Sequence, residues 1–530
     1  MVRRPVVLIA EELSPATVDA LGPGVEVRHC AGADRAALLA ALPGADAVLI
    51  RSATRMDTEA LAAADRLRVI GRAGVGLDNV DVAAASAAGV MVVNAPTSNV
   101  VSAAELTVGL LVAVARHIPQ ADAALKSGRW QRSRFSGVEL AGKTLGLLGL
   151  GRIGTLVARR MRAFDMDVIA YDPYVQPAHA AQEGVRLVPL DELLERSELI
   201  SVHLPRTPET AGLLGFEALH RVRPGVRIVN AARGGIVDEA ELYAALKEGR
   251  VAAAGIDVFA AEPCVESPLF ELDSVVVTPH LGAGTAEAQE RAGVSVAASV
   301  RRALAGDLLP EAVNVRAGAV APGLAPWLVL TERLAGLLVA ATGRLPGRWE
   351  AVARGEIASH DVRVLELGLL KGALTGPVEG GVSYVNAPEL AADRGLEAVA
   401  TTGRDALGFS SAVTVRAVFP DGEEASVTGT LTEPGGRARL VEIFGLPIDF
   451  PLAGEAVFVR CPDRTGALGA LAAALGAAGV NIAAMRLART APGGAAVVAL
   501  NVDAPVRPEV LAEAAGEVRA TRWWTLGNEG

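Results

Sequence analysis

Short apolar segments alternate with alanine-rich helical segments along the first hundred residues of the chain. The apolar segments, in chain order, are VVLIA, ADAVLI, LRVIGRAG and VMVVNAP. Short apolar runs separated by helical segments are typical of buried parallel strands joined by crossover helices. The pattern therefore predicts a doubly wound α/β domain that begins with residues 1–99.

A second region repeats this rhythm with stronger strands. Residues 102–117 come first and are apolar nearly all round, which predicts a long helix buried between layers or domains. The strands that follow are TLGLLGL, DVIAYD, LISVHL, VRIVNAA, AAGIDVF and SVVVTPH. They predict a second doubly wound domain at residues 100–283. A helical segment at 284–305 is expected to pack back on the first domain, so that residues 284–314 complete it and the second domain is an insertion.

Two smaller domains are predicted in the rest of the chain. Residues 315–452 hold β segments such as VTVRAVFP, EASVTGTLTE and ARLVEIFG between Pro and Gly turns, which predicts an α+β domain. Residues 453–530 follow the order βαββαβ of a ferredoxin-like domain. The predicted fold class is therefore α/β, with two Rossmann-like domains followed by an α+β domain and a ferredoxin-like domain.

Composition excludes several classes of protein. The chain has 530 residues, of which 51% are hydrophobic and 21% charged, so it can bury several cores and is not disordered in bulk. Its formal net charge of −10 lacks the basic excess that drives non-specific nucleic-acid binding. We expect no nucleic-acid partner, and any anion site must be a local cluster of arginines.

Cysteine usage and hydropathy indicate a reducing, aqueous setting. Cys30, Cys264 and Cys461 lie far apart and form no CxxC motif, so the chain lacks a disulfide framework and a zinc ribbon. We expect no metal site and a cytoplasmic location. Gly, Pro or charge breaks each apolar stretch before the ~20 residues that a membrane span needs, so no membrane association is expected.

A glycine-rich turn offers a site for a dinucleotide. Gly149, Gly151 and Gly154 follow the apolar run TLGLL and open a segment with helical periodicity. Glycines permit a tight turn and close approach of the pyrophosphate, while the helix N-terminus supplies free N–H groups and a positive dipole end. A bare GxGxxG is also compatible with a simple turn, but the strand before it and the helix after it favour a cofactor site.

Asp172 ends the next predicted strand, 18 residues past Gly154. A carboxylate at this position accepts hydrogen bonds from ribose hydroxyls and repels a 2′-phosphate, which favours NAD over NADP. The alternative is a strand-end Asp that starts a turn before Pro173.

Three further polar residues each follow a predicted strand: Arg233, Glu262 and His280. Oxidation of a 2-hydroxy acid requires a base for the hydroxyl proton, and a neutral imidazole serves that purpose near neutral pH. A carboxylate bonded to the other ring nitrogen fixes the tautomer, and an arginine holds a substrate carboxylate through paired N–H donors. Each residue alone also has a plain structural interpretation, as a loop arginine, a turn glutamate or a core histidine.

The segments GLGRIG, NAARGGIVDE, DVFAAEP and TPHLGA, which follow GRAGVGLDNVD, resemble the D-isomer-specific 2-hydroxyacid dehydrogenase family. The resemblance implies that Arg233, Glu262 and His280 are catalytic. It also implies a set of positions that bind NAD: Val75, Gly149, Gly151, Arg152, Ile153, Gly154, Asp172, Leu204, Ala231 and Asp257.

The resemblance is strongest to the long-chain phosphoglycerate dehydrogenase branch, because VEGGVSYVNAPELAADRG is similar to its intervening domain and PDRTGALGALAAALGAAGVNIAAM to its ACT domain. It implies NAD-dependent oxidation of 3-phospho-D-glycerate to 3-phosphohydroxypyruvate, the first step of L-serine biosynthesis. Arg51, Arg72 and Gly76 are the implied substrate-binding residues. The basic segment KSGRWQRSRF is placed by the family at a subunit contact, although a solvated basic face explains most of its charges.

The resemblance also implies regulation. Asp463 and Asn481 match positions with which related ACT domains hold L-serine between paired subunits, although a helix cap and a turn residue are equally plain interpretations. The chain departs from the family pattern at Cys461, Thr465 and Gly284. ACT domains pair edge to edge, and we expect a homotetramer built as a dimer of dimers.

Two other functions remain open at this stage. A glyoxylate or hydroxypyruvate reductase would share the catalytic residues but not the two C-terminal domains. A dinucleotide-sensing scaffold could also share the catalytic residues, but the GVSYVNAP segment and the ACT-like end suit a biosynthetic enzyme that senses its product.

Overall fold

The computed structural model describes residues 3–309, 311–315, 323–378, 381–432 and 436–527. Pro310 of the predicted connection between domains lies outside the described residues, as do Glu379 and Gly380 of the VEGGVSYVNAP segment. The described chain forms four sheets, two of them wholly parallel, which confirms the predicted fold class.

The first sheet has five parallel strands in the order β2-β1-β3-β4-β5. Its strands are β1 Val6–Ile9, β2 Glu26–His29, β3 Ala47–Ile50, β4 Val69–Arg72 and β5 Met91–Asn94. Its crossover helices are α1 Pro15–Leu21, α2 Arg35–Ala41, α3 Thr58–Ala63 and α4 Val82–Ala87. Sequence analysis missed β2, because this edge strand is largely exposed and its polar residues break the apolar pattern.

Two helices connect the first sheet to the second. These are α5 Val100–Arg116 and α6 Ile118–Lys126, and a short 3-10 helix follows at Arg132–Phe135. The predicted long helix is α5, but only one of its faces is buried, with Leu110 and Leu111 in the core of the second sheet. On the outer face Val101 is 44% exposed, so a single chain leaves part of the apolar surface uncovered.

The second sheet has seven parallel strands in the order β12-β11-β10-β9-β6-β7-β8. Its strands are β6 Thr144–Leu148, β7 Asp167–Tyr171, β8 Arg186–Leu187, β9 Leu199–Val202, β10 Val226–Asn230, β11 Val251–Ile256 and β12 Val275–Val277. Its helices are α7 Arg152–Arg162, α8 Pro177–Gln182, α9 Leu190–Arg196, α10 Phe216–Arg221 and α11 Glu239–Lys247, with a 3-10 helix at Pro268–Glu271. The six predicted strands are confirmed, and only the two-residue β8 was missed.

A long helix then returns to the first sheet. This helix, α12 Ala286–Leu304, lies against the sheet so closely that a Cβ on Gly71 would come within 2.6 Å of Val296. Val296 and Val300 share one core cluster with Val7 of the first strand. The second sheet is therefore inserted between two parts of the first unit, whereas the exact bounds of the four domains stay a prediction.

The third sheet is mixed, with six strands in the order β14-β13-β15-β16-β17-β18. The strands are β13 Arg348–Gly355, β14 Glu397–Gly403, β15 Ser411–Val418, β16 Glu424–Thr432, β17 Arg437–Ile443 and β18 Leu446–Pro451. The helices are α13 Ala325–Thr342, α14 Leu365–Thr375 and α15 Ala387–Ala392, with 3-10 helices at Glu356–Ser359 and Val362–Val364. By length and composition α13 could cross a membrane, but half of its apolar window is buried, and Leu330 and Leu334 pack in the core of this sheet.

The last sheet has four strands in the order β20-β21-β19-β22, which is the arrangement of a ferredoxin-like fold. Its elements are β19 Glu455–Pro462, α16 Ala467–Ala477, β20 Ile482–Arg489, β21 Ala495–Val502, α17 Pro508–Glu517 and β22 Arg522–Leu526. The predicted order βαββαβ is confirmed.

Candidate active site

Three adjacent strands of the second sheet bring the predicted catalytic residues together. Arg233 follows β10, Glu262 follows β11 and His280 follows β12, and these strands are neighbours in the sheet. Because all three strands run parallel, their carboxyl ends meet at one edge, where open α/β sheets hold their ligands. Sequence analysis placed each residue after a strand, and the strand order explains why they form one site.

His280 and Glu262 form a direct pair. Nδ1 of His280 lies 2.6 Å from Oε2 of Glu262, and Oε1 of Glu262 accepts the backbone N–H of Phe259 at 2.9 Å. The side chains of His280 and Glu262 are 45% and 34% exposed, so His280 is not a buried core histidine. The bond at Nδ1 leaves Nε2 as the ring nitrogen that can exchange a proton with a substrate.

A buried carboxylate shapes the loop that carries His280. Asp257 is fully buried, and Oδ1 accepts from the hydroxyl of Thr278 at 2.6 Å and from the N–H of Leu281 at 2.7 Å. Its other oxygen accepts the N–H of Gly282 at 3.0 Å, and its own carbonyl accepts the N–H of His280 at 2.8 Å. Burial raises the pKa of Asp257. Asp257 was predicted to contact the cofactor, and here its carboxylate holds the base loop, which keeps His280 at a φ of 54°.

The loop that carries Arg233 is braced in a similar way. Asn230 donates from Nδ2 to the carbonyl of Arg233 at 2.9 Å, and its Oδ1 accepts the N–H of Ala232 at 3.1 Å. A Cβ on Gly234 would overlap the carbonyl oxygen of Phe259. The glycine is therefore needed so that this loop can pack against the loop that leads to Glu262.

Two arginines at strand ends of the first sheet face Arg233. Arg51 follows β3, and Arg72 is the last residue of β4. Burial lowers the pKa of Arg72, and the positive charges of Arg233 and Arg51 lower it further, while Asp78 acts in the opposite direction. Nε of Arg72 is buried and has no hydrogen-bond partner in the described part of the chain. The cleft between the two sheets thus concentrates positive charge, as an anionic substrate requires.

The glycine-rich turn has the geometry of a dinucleotide site. Gly149 has a φ of 99°, and a Cβ on it would come within 2.8 Å of the carbonyl oxygen of His203. A Cβ on Gly154 would overlap the carbonyl of Gly149, so both positions exclude a side chain. Helix α7 begins at Arg152, and its N-cap Gly151 provides no side-chain hydrogen bond and has open space around the Cβ position. The free N–H groups of α7 therefore fit a pyrophosphate.

Asp172 lies beside this turn. Its Oδ2 accepts the N–H of Leu150 at 2.9 Å, and its Oδ1 accepts the N–H of Tyr174 at 2.9 Å. The carboxylate thus links the glycine turn to the end of β7 and also starts the turn before Pro173. The two interpretations from the sequence are compatible, since the carboxylate keeps lone pairs for ribose hydroxyls.

The other predicted ligand positions lie near the strand ends of the first and second sheets. Val75 is half-buried, and its carbonyl accepts Nδ2 of Asn94 at 2.7 Å. A Cβ on Gly76 would come within 3.1 Å of a guanidinium nitrogen of Arg233. The remaining cofactor positions are the exposed Arg152 and the half-buried Ile153, Leu204 and Ala231.

Sequence analysis missed three residues that support the loops of the site, namely Asn230, Thr278 and His203. Nε2 of His203 lies 2.9 Å from the hydroxyl of Ser201, and burial lowers the pKa of His203 to about 4. The ring is therefore neutral beneath the glycine turn. The available signal for His203 was its place in the run LISVHL, directly after the buried strand Leu199–Val202, where a ligand-facing edge is expected.

Asp463 and Asn481 do not meet within one chain. Asp463 accepts from Arg489 at 2.7 Å and from the N–H of Gly493 at 3.1 Å, while Nδ2 of Asn481 donates to Asp503 at 2.6 Å. The strand register places them at opposite ends of β21, which at about 3.3 Å per residue separates them by roughly 23 Å. Helix α16 has no side-chain cap, so Asp463 is not its cap.

In the last domain, Asp463 lines a cavity of about 330 Å³. Cys461, Arg464 and Arg489 also border this cavity, together with the N-terminal turn of α16. The cavity therefore combines an acid, two cations and free helix N–H groups.

The basic segment of the linker is partly neutralised within the chain. Lys126 pairs with Asp122 at 2.9 Å, and Arg134 pairs with Asp273. These pairs agree with a solvated face for part of the segment, and the assignment of one of its arginines to a neighbouring site stays a prediction.

Comparison with protein-family models gives three matches along the chain. Residues 108–282 match the D-isomer specific 2-hydroxyacid dehydrogenase, NAD binding domain. Residues 323–444 match the D-3-phosphoglycerate dehydrogenase intervening domain, and residues 456–516 match the ACT domain.

Curated relatives are similar over nearly the whole chain. D-3-phosphoglycerate dehydrogenase of Mycobacterium leprae is 54% identical over 518 residues, which are 98% of this chain and 98% of the relative. The enzyme of the same name from Methanocaldococcus jannaschii is 39% identical over 513 residues, 95% of this chain and 96% of the relative.

Solved structures match more than half of the chain. A glyoxylate reductase from Paecilomyes thermophila is 31% identical with a TM-score of 0.53, and covers 58% of this chain and 98% of its own. A NAD-dependent formate dehydrogenase from Staphylococcus aureus, solved in complex with NAD, is 31% identical with a TM-score of 0.52, and covers 57% of this chain and 97% of its own.

Proposed function

The chain belongs to the D-3-phosphoglycerate dehydrogenase family, and from this premise we propose that it oxidises 3-phospho-D-glycerate to 3-phosphohydroxypyruvate. It is an NAD-dependent oxidoreductase, with the NAD-binding domain of the 2-hydroxyacid dehydrogenases. The reaction is the first step of L-serine biosynthesis.

Arginines from both sheets bind the two anionic ends of the substrate. Arg233 holds the carboxylate through paired N–H donors, and Arg51 and Arg72 hold the phosphate from the opposite wall of the cleft. The single observation that carries the proposal is that Arg72 and Arg233 lie against one short loop: a Cβ on Gly74 would overlap the guanidinium of Arg72, and a Cβ on Gly76 would lie 3.1 Å from that of Arg233. Two like charges repel each other in an empty cleft, and a ligand with two anionic groups removes that repulsion.

His280 moves the proton. Nε2 of His280 accepts the proton of the C2 hydroxyl, because Nδ1 is already bonded to Glu262. Glu262 keeps the ring in this tautomer and stabilises the imidazolium that forms. NAD, when bound, supplies the acceptor for the hydride that leaves C2.

The residues of the glycine turn fit NAD. Gly149, Gly151 and Gly154 leave room for the pyrophosphate at the start of α7, and Asp172 accepts from the ribose hydroxyls and repels a 2′-phosphate. The arrangement favours NAD over NADP.

The first test is the reverse reaction, followed as oxidation of NADH. The substrates are 3-phosphohydroxypyruvate, hydroxypyruvate and glyoxylate at matched concentrations. We expect kcat/KM for 3-phosphohydroxypyruvate to exceed that for the other two by about 100-fold or more, because two arginines bind only the phosphate. Equal or better turnover of glyoxylate would assign the chain to the reductases, and an absence of turnover would favour a dinucleotide-sensing scaffold.

Regulation by L-serine is the finer part of the proposal. Asp463 binds an ammonium group and Asn481 a carboxylate, and their separation within one chain requires that a site be shared by two chains. Strand β20 is an edge of its sheet and offers a surface for such pairing. Together with the apolar outer face of α5, this pairing supports a homotetramer, which we place in the cytoplasm.

Inhibition and assembly test this part together. L-serine is expected to lower the activity of the wild type, D-serine to have no effect, and Asp463→Asn to abolish the response to L-serine. Sedimentation at micromolar concentration is expected to give a tetramer. Inhibition that survives in Asp463→Asn, or a monomeric enzyme that still responds, would contradict the shared site.

A further inference from the structure

Two side chains outside the predicted site hold the loop that begins with Arg51. The carboxylate of Glu11 accepts three backbone N–H groups of this loop: Oε1 accepts from Arg51 at 2.7 Å and from Thr54 at 2.9 Å, and Oε2 accepts from Ala53 at 3.3 Å. One side chain therefore satisfies three backbone donors of one turn that would otherwise bind water or a ligand.

Asn79 completes the same loop from the other side. Its Nδ2 donates to the carbonyl of Arg51 at 2.6 Å and to the carbonyl of Thr54 at 2.6 Å. Ser52 and Ala53, between these anchor points, are exposed, whereas Thr54 is fully buried. Polar side chains therefore hold the exposed part of the loop in place.

Glu11, Asn79 and the loop that they hold lie at three adjacent strand ends. Glu11 follows β1, the loop from Arg51 follows β3, and Asn79 lies in the loop after β4, and these strands are neighbours in the sheet. All three ends face the cleft that Arg72 and Arg233 line. A displacement of the loop would thus move the guanidinium of Arg51 relative to the other two cations.

We propose that Glu11 and Asn79 are positioning residues that fix Arg51 for the phosphate of the substrate and so set the preference for phosphorylated over unphosphorylated substrates. The inference rests on the proposed function. A guanidinium on a mobile loop would lose part of its binding free energy to ordering, whereas a preorganised one does not.

The charge of Glu11 allows an effect of charge to be distinguished from an effect of position. A carboxylate close to a phosphate site opposes anion binding through its charge, since like charges repel. Glu11→Gln removes that charge and replaces one acceptor oxygen by an NH₂ group that cannot accept the N–H of Ala53. If only charge mattered, the variant would prefer the phosphorylated substrate more strongly; if position matters, it prefers that substrate less.

The experiment measures kcat/KM for NADH oxidation with 3-phosphohydroxypyruvate and with hydroxypyruvate in the full-length enzyme. The variants are Glu11→Gln and Asn79→Leu, each also combined with Arg51→Gln. Glu12→Gln is the matched control, because it removes the same charge from an exposed neighbour. Thermal unfolding of every variant reports whether the fold is intact.

We expect the ratio of the two kcat/KM values to fall about 10-fold in Glu11→Gln and in Asn79→Leu, and to stay within 2-fold of the wild type in Glu12→Gln. In the Arg51→Gln background the same changes are expected to have almost no further effect, because the guanidinium that they position is absent. An unchanged or increased ratio in folded Glu11→Gln would overturn the inference, as would an unchanged ratio in Asn79→Leu or full additivity with Arg51→Gln.

Failure of the proposed function would look different. In that case the wild type itself would show no preference for 3-phosphohydroxypyruvate. A wild type with the preference, together with variants that retain it, would overturn only the role of Glu11 and Asn79.

Discussion

Oε2 of Glu262 lies 2.6 Å from Nδ1 of His280, while Oε1 of the same carboxylate accepts the backbone N–H of Phe259. The glutamate is thus anchored to its own loop and holds the imidazole from behind. Loss of this carboxylate would remove the hydrogen-bond partner of Nδ1.

Replacement of this carboxylate is the first prediction. Glu262→Gln is expected to lower kcat by about 10²- to 10³-fold, because an amide stabilises neither the required tautomer nor the imidazolium. Steady-state oxidation of NADH measures kcat, and quenching of protein fluorescence measures the Kd for NADH. The Kd is expected to stay within about 2-fold, and a large rise in Kd would show that Glu262 acts mainly on the fold of the cofactor site.

Removal of the imidazole of His280 is the second prediction. His280→Ala is expected to lower kcat by about 10³-fold or more, while NADH still binds with an unchanged Kd. The same two assays measure both quantities. Activity equal to that of the wild type would remove His280 from the mechanism.

The third prediction concerns Arg72 and Gly74, because the guanidinium of Arg72 lies against Gly74. A Cβ on Gly74 would overlap the guanidinium of Arg72, so Gly74→Ala must displace that side chain. Both Arg72→Lys and Gly74→Ala are therefore expected to raise KM for 3-phosphohydroxypyruvate by about 10-fold or more. KM for hydroxypyruvate is expected to change less. A normal KM for the phosphorylated substrate in both variants would show that Arg72 does not bind the phosphate.

Packing between the loop that carries Arg233 and the loop that leads to Glu262 is the basis of the fourth prediction. Gly234→Ala is expected to lower both activity and thermal stability, since its Cβ would overlap the carbonyl of Phe259. Gly516→Ala is the matched control, because no atom lies within 4 Å of its Cβ position on helix α17. The control is expected to keep full activity and to gain up to about 1 kcal/mol of stability from its helix propensity. Equal melting temperatures for the two variants would contradict this account.

The fifth prediction is a pH dependence of stability. Burial lowers the pKa of His203 to about 4 from its ordinary value of 6.5. Below pH 6.5 the unfolded chain therefore binds a proton that the native chain does not, so the free energy of unfolding falls until the pH reaches about 4. At about 1.4 kcal/mol per pH unit the loss between pH 6.5 and about pH 4 amounts to at most ~3.5 kcal/mol.

His203→Gln tests this dependence against the exposed control His29→Gln. Thermal unfolding between pH 4 and pH 7 is expected to show that acid lowers the free energy of unfolding less in His203→Gln than in the wild type. In His29→Gln the decrease is expected to equal that of the wild type. Parallel curves for the wild type and His203→Gln would show that His203 binds its proton equally in the native and unfolded states.

The pattern of apolar runs was sufficient for most of the fold. Strands buried on both faces leave an uninterrupted signal, which is why VVLIA and TLGLLGL were recognised, whereas the exposed edge strand β2 left none. The apolar pattern of helix α5 did not show which of its faces is buried. One apolar face packs inside the chain, and the single chain leaves another apolar face exposed.

Local sequence patterns were enough to predict the chemistry of the candidate site. Glycines between a strand and a helix, and an arginine, a glutamate and a histidine after successive strands, are local patterns, so sequence analysis could place each of them on the ligand-facing edge of a parallel sheet. The tertiary structure alone decided which residues support them. Glu11, Asn79 and Asp257 act by bonding backbone groups of other loops that are distant in the chain. Such hydrogen bonds depend on strand order and register, which no local pattern encodes, because neighbouring strand ends become neighbours only once the sheet has formed.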